Sequence, residues 1–419
     1  MKKVISFLIV LFVVALGVTT GNSARLLIPA APLPFIHQPL LALTAVDVSA
    51  LTNFAATNQK ALISTLLNGL DIANDIMVQP NVKNKIPMPK LTVGKGARPY
   101  SGTEEFHSGG VDLVYTQRYL EVKIGKRELL IDPEDYRATY LAWATTPGSS
   151  SAEKKIPFAQ YMWQQVVLAL QNELNGETAY YGDVAIQAKA LWAGNPTTYV
   201  VGDQVKFVQN GVNEFFECIS NTVADESPDT APAKWQNITA RAIVDGIRKT
   251  IGTEITATTI APVTTGAVSA TSGVAKAAFL KMFRSMPVPY KNWGCVTHAS
   301  YTDYEFLLDD LLETWGKYTM GDYKGGEVPP YIVLPNTGGK GIVKPATWLG
   351  TSRRLITEPM LKGDAGARGM NLYLGTDVLS DASQITAKDS DLWTIKAGVK
   401  FALGFPIQDV SAIRVGDQA

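Results

Sequence analysis

The sequence predicts an α+β protein that carries a small all-β insertion, and three observations lead to this prediction. Residues 157–182 have the length and the apolar spacing of a long helix. Residues 90–132 show the alternating pattern of β-strands, and several glycines mark turns before the clearest alternation. Residues 191–238 differ in composition from the rest and place short strands between turn signals.

Length and composition limit what the chain can be. At 419 residues it exceeds the size at which a single core usually stops growing, so we expect two or three structural units. Charged residues make up only 18%, below the roughly one quarter usual for soluble domains, which suggests a surface largely covered by partners. Basic and acidic residues both number 38, so the basic excess of a nucleic-acid reader is missing.

Cysteine usage excludes two further classes. Cys218 and Cys295 lie in different parts of the chain and offer no CxxC spacing. They therefore support neither a disulfide scaffold nor a zinc site. We expect no cofactor and no metal ion.

The first twenty residues have the form of a secretory signal peptide. Two lysines precede an apolar run at 4–18. A membrane span needs about 20 apolar residues, so this run is too short for one. The cleavage signal is poor because Asn22 stands where a small residue is preferred. A second interpretation is an apolar arm that packs against other subunits, and residues 1–60 are assigned to an N-terminal arm.

The helix at 157–182 is the longest that the chain can form. Pro157 suits its first turn, Gly182 can supply a left-handed stop, and Gly176 is a weak interior point. One face carries Tyr161, Met162, Val166, Ala169, Leu170, Glu173 and Leu174. The opposite face is also partly apolar through Val167 and Leu168, so the helix needs cover on both sides, from its own chain or from a neighbouring copy.

The strands before this helix predict a long hairpin at 86–133. Alternation is visible along residues 111–122 but changes face near Gln117, which predicts a bulge or a bend. A two-stranded hairpin that stands away from any core is marginal alone. It normally needs an external surface.

The segment 191–238 contains a moderately specific aromatic pattern. It reads Trp192, Tyr199, Gly202, Asp203, Val205, Phe207, Phe216 and Trp235. This pattern resembles small chitin-binding modules, which use flat rings to cover the apolar faces of sugars. The resemblance implies that Trp192, Tyr199 and Trp235 bind carbohydrate. The alternative is that the tryptophans form the core of a module too small to have another.

The rest of the chain alternates helices and strands. Predicted helices lie at 240–250, 274–286 and 303–315, and predicted strands at 293–297, 331–334, 370–374, 392–397 and 399–404. Residues 253–273 are rich in Thr, Ala and Ser, as loops and edge strands are. Ser300 or Thr302 is placed to open the acidic helix at 303–315.

In this order the parts resemble the major capsid protein of tailed bacteriophages, the Hong Kong 97-type fold. Three sequence segments carry the resemblance: SMPVPYKNWGCVTHASYTDYEFLLDDL, NLYLGTDV and LWTIKAGVKFALGFPIQDVSAIRV. The resemblance implies an arm at 1–60, an extended hairpin at 86–133, and a peripheral domain at 134–190 and 366–419 with the spine helix at 157–182. It also implies an inserted module at 191–238 and an axial domain at 239–365.

The resemblance also implies a structural role without enzymatic activity. Many copies would form hexamers and pentamers of an icosahedral shell that encloses phage DNA without reading its sequence. Expected partners are other capsid and portal proteins, and host glycans through the inserted module. The expected location is the virion capsid, assembled in the host cytoplasm. Net neutrality is consistent with a shell that only encloses DNA.

Two rival functions stay open. One is an exported glycan-binding protein of the bacterial envelope, whose signal is removed. The other is an envelope hydrolase that uses His298, which follows a predicted strand and precedes Ser300. Against a hydrolase, His37, His107 and His298 are the only histidines, and none has a partner at ligand spacing.

Overall fold

The structure is a computed structural model. It describes residues 48–94, 113–131, 158–194, 197–315, 329–363, 367–377, 385–389 and 395–418. All described elements belong to the compact unit formed by residues 46–419. The signal-like start at 1–20 lies outside the described residues. None of the described helices is long and apolar enough to cross a membrane.

The described residues form a mixed helix and strand fold. The helices are α1 (Val48–Asn68), α2 (Phe158–Glu173), α3 (Ile247–Thr256), α4 (Val274–Ser285), α5 (Val288–Trp293) and α6 (Tyr301–Trp315). The first strands are β1 (Met77–Gln79), β2 (Lys85–Val93), β3 (Leu113–Glu121), β4 (Lys123–Ile131), β5 (Gln204–Gln209), β6 (Val212–Cys218) and β7 (Trp235–Asn237). The later strands are β8 (Cys295–Ala299), β9 (Ile332–Val333), β10 (Gly341–Pro345), β11 (Ile356–Pro359), β12 (Tyr373–Thr376), β13 (Ile385–Asp389), β14 (Ile395–Gly404) and β15 (Arg414–Val415).

The first sheet joins strands that are far apart in sequence. Its order is β1-β12-β14-β13, and β4 also pairs with β14. Helix α1 packs on β13, and α2 packs on α1. Leu66, Trp163 and Phe401 are fully buried in the core between these elements. Because α1 begins at Val48 and Ala55 is buried in the same core, the predicted arm at 1–60 extends too far.

The second sheet has the order β15-β11-β8-β10-β9, with β8 and β10 parallel. Helices α4 and α6 pack together and bury Phe279, Tyr304 and Leu307. Ser300 opens α6 as predicted, because its Oγ accepts a hydrogen bond of 3.2 Å from the backbone N–H of Asp303. Strand β15 pairs with β11, so this part of the segment 366–419 belongs to the second sheet and not to the predicted peripheral domain.

Helix α2 is shorter than the predicted 157–182. Its α-helical part ends at Glu173 and continues as a π-helical turn, Leu174–Thr178, around Gly176. The turn places Asn175 where its Nδ2 donates to Thr347 Oγ1 at 3.0 Å and its Oδ1 accepts from Ile72 N at 3.3 Å. The wider turn is one of the known ways in which a helix re-aims a side chain.

The two faces of α2 differ more than the sequence predicts. Met162, Trp163, Val167 and Leu170 are buried against α1 and the first sheet. Tyr161 and Ala169, which the spacing placed on the buried face, are exposed, as is Leu168 on the opposite face. In the described part of one chain, the apolar cover reaches one face of the helix. Cover of the other face by a neighbouring copy stays a prediction.

The hairpin contains fewer residues than predicted. Strands β2 and β3 pair antiparallel in an unbroken register through Pro89 and Gln117, so the bulge predicted near Gln117 is wrong. The break comes at Val122, whose N–H donates to Asn84 O at 2.9 Å. Beyond it, β4 leaves the hairpin and pairs with β14 along nine residue pairs, which places 123–131 in the first sheet.

Two glycines bring together the ends of the segment that contains residues 191–238. The N–H of Gly246 donates to Gly182 O at 2.9 Å, and the N–H of Ile247 donates to Ala179 O at 3.0 Å. A Cβ on Gly182 would lie 2.2 Å from the carbonyl oxygen of Val244. Gly182 is outside the left-handed region, so the predicted helix stop is wrong and the glycine instead allows close backbone approach.

We predict that Gly182→Ala destabilises the protein by about 2–3 kcal/mol, because the new methyl group meets backbone that cannot move freely. Gly176→Ala is the matched control. No atom lies within 4 Å of its added Cβ, so it should be neutral or stabilising by about 0.5–1 kcal/mol. Urea unfolding of both variants measures the difference. Equal stabilities would contradict the close approach of the two chain segments.

Smaller differences follow from tertiary packing. Helix α3 spans Ile247–Thr256, later than the predicted 240–250. Its Ile247 and Ile251 are buried in the core of the first sheet, α1 and α2. The helix also includes residues 253–256, which the sequence analysis assigned to loops and edge strands. The strands predicted at 392–397 and 399–404 are one strand, β14, because Gly398 continues the pairing with β13 and β4.

Candidate functional site

The β2–β3 hairpin has two chemically different faces. Directly opposite residues lie on the same face of an antiparallel pair. The register pairs Leu91 with Tyr115 and Val93 with Leu113, and Tyr119 lies on the same face. We call these five side chains the hairpin surface. Four of them are more than half exposed: Leu91 60%, Val93 68%, Leu113 63% and Tyr115 61%.

The other face of the hairpin contacts the body of the protein. Met88 and Leu120 are buried with Val82, Val122 and Ala402 in a small apolar cluster. Farther along the ribbon, Lys90 Nζ lies 2.7 Å from Asp409 Oδ1. Arg118 forms an ion pair with Glu254 at the end of α3. One ion pair from each strand therefore fixes the hairpin against the body, with its apolar surface facing away.

Both carboxylates in these pairs have lowered pKa values. Burial alone would raise the pKa of Glu254, but hydrogen bonds from Arg118 and Thr259 and the charge of Arg118 outweigh it. Burial also acts to raise the pKa of Asp409, and it is outweighed by hydrogen bonds from Lys90 and Ser411 and by the charge of Lys90. Each pair stabilises the docked hairpin while its carboxylate is ionised.

We predict that the hairpin detaches from the body as the pH falls below about 4. A depressed folded-state pKa means that the stabilisation is present above the ordinary carboxyl range and is lost as pH falls through the lowered value. Spin labels on Thr92→Cys in β2 and Thr256→Cys in α3 should report a longer and broader distance distribution at low pH. Labelling is selective because both native cysteines are buried, and burial raises the pKa of the Cys295 thiol to about 12.

A double variant, Lys90→Met with Arg118→Met, should show the same detachment at neutral pH. Lys126→Met is its control, because the Lys126–Glu128 pair is exposed and lies on β4, outside the hairpin. A distance that stays constant across the pH range and in the double variant would show that the ion pairs do not hold the hairpin.

The segment 191–238 folds around a small aromatic core. Strands β5, β6 and β7 form an antiparallel sheet in that order. Trp235 is 5% exposed and is buried with Val205, Phe216 and Cys218. Trp192, Tyr199 and Phe207 pack against this cluster. The aromatic pattern of the sequence thus supplies the apolar interior of a three-stranded module.

The three candidate carbohydrate-binding residues lie together in this core. The Trp235 Nε1–H donates to Glu226 O at 3.1 Å, and the Tyr199 ring meets the Trp235 ring edge to face at 5.3 Å. The Tyr199 hydroxyl accepts from Ala193 N at 2.8 Å. Trp192 is half-buried, and its Nε1 has no hydrogen-bond partner among the described residues. Trp235 therefore offers no open ring face, and sugar binding by Trp192 and Tyr199 stays a prediction.

We predict that Trp235→Ala unfolds the module and leaves the remainder of the protein folded. Truncating a large buried aromatic side chain costs about 3–5 kcal/mol, more than so small a core can lose. Hydrogen exchange should rise along β5–β7 only. Val201→Ala is the control, because Val201 is exposed on the same module. Unchanged protection in Trp235→Ala would contradict the core role.

His298 has a structural environment. It is fully buried on β8, and its Nε2 lies 2.9 Å from Glu358 Oε1 on β11, also fully buried. The Ser300 hydroxyl donates to Asp303 Oδ2 at 3.0 Å as part of the α6 cap. The two residues considered for a hydrolase thus hold the second sheet and its helix together. Within the described ranges, no three His, Cys, Asp or Glu side chains cluster as a metal site needs.

The structure also has a cleft beside the module that was not predicted from the sequence. The cleft has a volume of about 800 Å³. It lies between one face of α3, the segment 181–186 that follows α2, and residues of the module. Its charged lining consists of Asp183, Glu217, Arg241, Arg248 and Lys249. The residues that line the cleft come from separated segments of the sequence, so no local pattern predicted it. The polar composition of α3 was the one feature of the sequence that pointed to an exposed helix face there.

No family model and no curated protein matches the chain. Solved structures do match. The procapsid of satellite phage P4, in a structure that includes the size determination (Sid) protein, has 10% identity and a TM-score of 0.42, with 99% of this chain and 97% of that chain covered. The capsid of a native GTA particle has 7% identity and a TM-score of 0.43, covering 83% and 89%. The capsid of Myoviridae phage XM1 has 10% identity and a TM-score of 0.39, covering 84% and 91%.

The structures to which the chain is similar are thus capsids of phages and of a GTA particle.

Proposed function

We propose that the chain is a major capsid protein whose copies assemble into the icosahedral head shell of a phage. The observation that carries the proposal is the hairpin surface: a row of large apolar side chains on a two-stranded ribbon, facing away from the body that holds the ribbon. Two-stranded ribbons are marginal alone, and contiguous exposed apolar patches mark interaction sites. A second copy of the chain is the partner that a homo-oligomeric shell supplies.

A surface on the same chain fits the hairpin of a neighbour. The exposed face of α2 carries Leu168, which is 50% exposed, beside glutamines. A hairpin laid across this face would bury apolar area on both partners. The contact is head to tail, because the two surfaces differ, and such contacts close into rings when the rotation per copy allows.

On this proposal the described elements have specific roles. Helix α2 is the spine helix, and the first sheet with α1 forms the peripheral domain. The second sheet with α4 and α6 forms the axial domain. Strands β2 and β3 are the extended hairpin, and residues 191–238 are an insertion on the outer surface that recognises host glycans. Hexamers and pentamers of the chain, with portal and other capsid proteins, enclose the DNA.

The charge balance supports enclosure without sequence reading. The chain has 38 basic and 38 acidic residues, so it offers no net positive charge to neutralise phosphates. A shell of this composition holds DNA by surrounding it. We expect the purified protein to bind short duplex DNA no more tightly than a neutral protein does.

Sedimentation velocity of the purified full-length chain tests the proposal. The expected result is fast-sedimenting species of shell size, in equilibrium with rings of five or six copies, and a shift toward shells as concentration rises. A single slow species that stays monomeric at high concentration would overturn the proposal. Sequencing of the N-terminus in the same sample separates it from an exported glycan-binding protein, which would start near Arg25.

A further inference from the structure

We infer that the cleft between α3 and the module binds an acidic oligosaccharide, with Arg248 holding a carboxylate of the sugar. This inference rests on the proposed surface role of residues 191–238 and not on shell assembly. The cleft volume of about 800 Å³ falls within the range of ordinary ligand sites. A cleft of this volume has room for several sugar units.

Three cations of the cleft, Arg241, Arg248 and Lys249, lie among three carboxylates, but one arginine takes two of those carboxylates. Arg241 pairs with Glu177 and, at 3.0 Å through Nη1, with Glu217. Lys249 Nζ lies 2.9 Å from Asp183 Oδ2. Arg248 has no carboxylate partner in the described part of the chain. Its guanidinium is instead set against the Tyr181 ring, 5.6 Å from the ring centroid, which keeps it beside the cleft.

A guanidinium presented in this way selects an oxyanion. Its planar donors match a carboxylate in bidentate geometry, and contact with an aromatic ring limits the motion that binding would otherwise have to freeze. The Tyr181 hydroxyl is itself fixed, because it lies 3.0 Å from Thr351 Oγ1 and donates to Leu349 O at 3.3 Å. The ring is thus a rigid support for Arg248.

Gly252 is the second observation that favours a ligand in the cleft. It lies within α3, on the wall of the cleft, and glycine there costs about 1 kcal/mol relative to alanine. Nothing in the described chain explains this, because no atom lies within 4 Å of where its Cβ would be. A bare backbone on this wall allows a ligand to approach the helix closely.

The remaining lining favours a sugar over a peptide. Gln204, Thr253 and Thr256 add polar groups beside the carboxylates of Asp183 and Glu217. Sugar hydroxyls donate to such oxygens and accept from such amides, whereas peptide anchors need apolar or aromatic pockets. Among the described residues, Ile186, Ala257 and the Tyr181 ring add apolar surface, which suits the apolar faces of sugar rings. The charges and hydrogen-bonding groups together describe a site for uronic-acid-type sugars.

Calorimetric titration of the full-length protein with trigalacturonic acid tests the inference. Chitotriose, which is neutral, and triglutamate, which is an acidic peptide of the same length, are the comparison ligands. We expect trigalacturonic acid to bind at least about tenfold more tightly than either, because the site needs both a carboxylate and hydroxyls. Binding should weaken as salt rises.

Three variants locate the site. Arg248→Gln should weaken binding by about tenfold or more. Gly252→Leu should weaken binding, because its side chain would project from α3 into the cleft. Lys189→Gln, an exposed cation of the segment that is not part of the lining, should bind like the unmodified protein. Shell assembly, followed by sedimentation in the same samples, should be unchanged.

Several results would overturn the inference. They are no binding of trigalacturonic acid at millimolar concentration, unchanged binding in Arg248→Gln and Gly252→Leu, or triglutamate binding as tightly as the sugar. If these occur while shells still form, only the sugar site fails. If shells fail to form while the sugar binds with the expected variant pattern, only the capsid proposal fails.

Discussion

We expect that replacing Leu91 and Tyr115 by aspartate abolishes assembly, and that the double variant sediments as free subunits with an unchanged melting temperature. The two side chains are paired across the strands and are 60% and 61% exposed, so they contribute almost nothing to the fold of one copy. Burying a large apolar side chain contributes about 1.5–3 kcal/mol. A carboxylate placed in the same contact adds a desolvation penalty.

The effect is large because a shell repeats the contact in every copy. A defect of a few kcal/mol per contact is enough to shift a cooperative assembly entirely toward subunits. Sedimentation velocity and the melting temperature, measured on the same preparation, separate assembly from folding. A matched control is Val200→Asp with Val201→Asp, since these valines are similarly exposed on the module. Shells formed by the Leu91 and Tyr115 variant would show that the hairpin surface is not an assembly contact.

Replacing Glu358 by alanine has the largest expected effect on stability. Glu358 is fully buried, and its Oε1 lies 2.9 Å from His298 Nε2. Its Oε2 accepts from the backbone N–H groups of Asn371 at 2.8 Å and Leu372 at 2.9 Å. One side chain of the second sheet therefore accepts the backbone hydrogen bonds of the segment that leads into β12 of the first sheet.

Removing this carboxylate leaves three buried polar groups without their partner. Each such group costs about 1–3 kcal/mol, so we expect a loss of about 4 kcal/mol in urea unfolding. Gly369→Ala should cause a similar loss, because its Cβ would lie 1.9 Å from Glu358 Oε1. Glu128→Ala is the control, since Glu128 is exposed and pairs only with Lys126. A loss below about 1 kcal/mol in Glu358→Ala would contradict the bridging role.

Local patterns in the sequence predicted where helices and strands lie better than they predicted which strands pair with each other. Alternation along residues 111–122 predicted β3, but it did not predict that the face with Leu113, Tyr115 and Tyr119 is exposed. It did not reveal that β4 leaves the hairpin, because the partner of β4 is β14, more than 250 residues farther along the chain. The apparent change of face near Gln117 arose because the outward face is itself apolar, so burial and alternation do not coincide there.

The candidate sites show the same limit. The turn signals in residues 191–238 predicted short strands, and the structure has β5, β6 and β7 there, but the aromatic pattern did not distinguish core rings from exposed rings. Burial of Trp235 depends on how β6 and β7 pair, which composition does not encode. The cleft was invisible because Arg248 and Tyr181 are separated in sequence and meet only after Gly182 and Gly246 bring their segments together.

Electron microscopy of particles formed by the purified chain tests the central claim most directly. The account predicts closed icosahedral shells in which the hairpin surface of each copy lies against a neighbouring copy, over the exposed face of α2. It also predicts the module at residues 191–238 on the outside of the shell. A chain that forms no shells, or shells in which Leu91, Val93, Leu113 and Tyr115 face solvent, would contradict it.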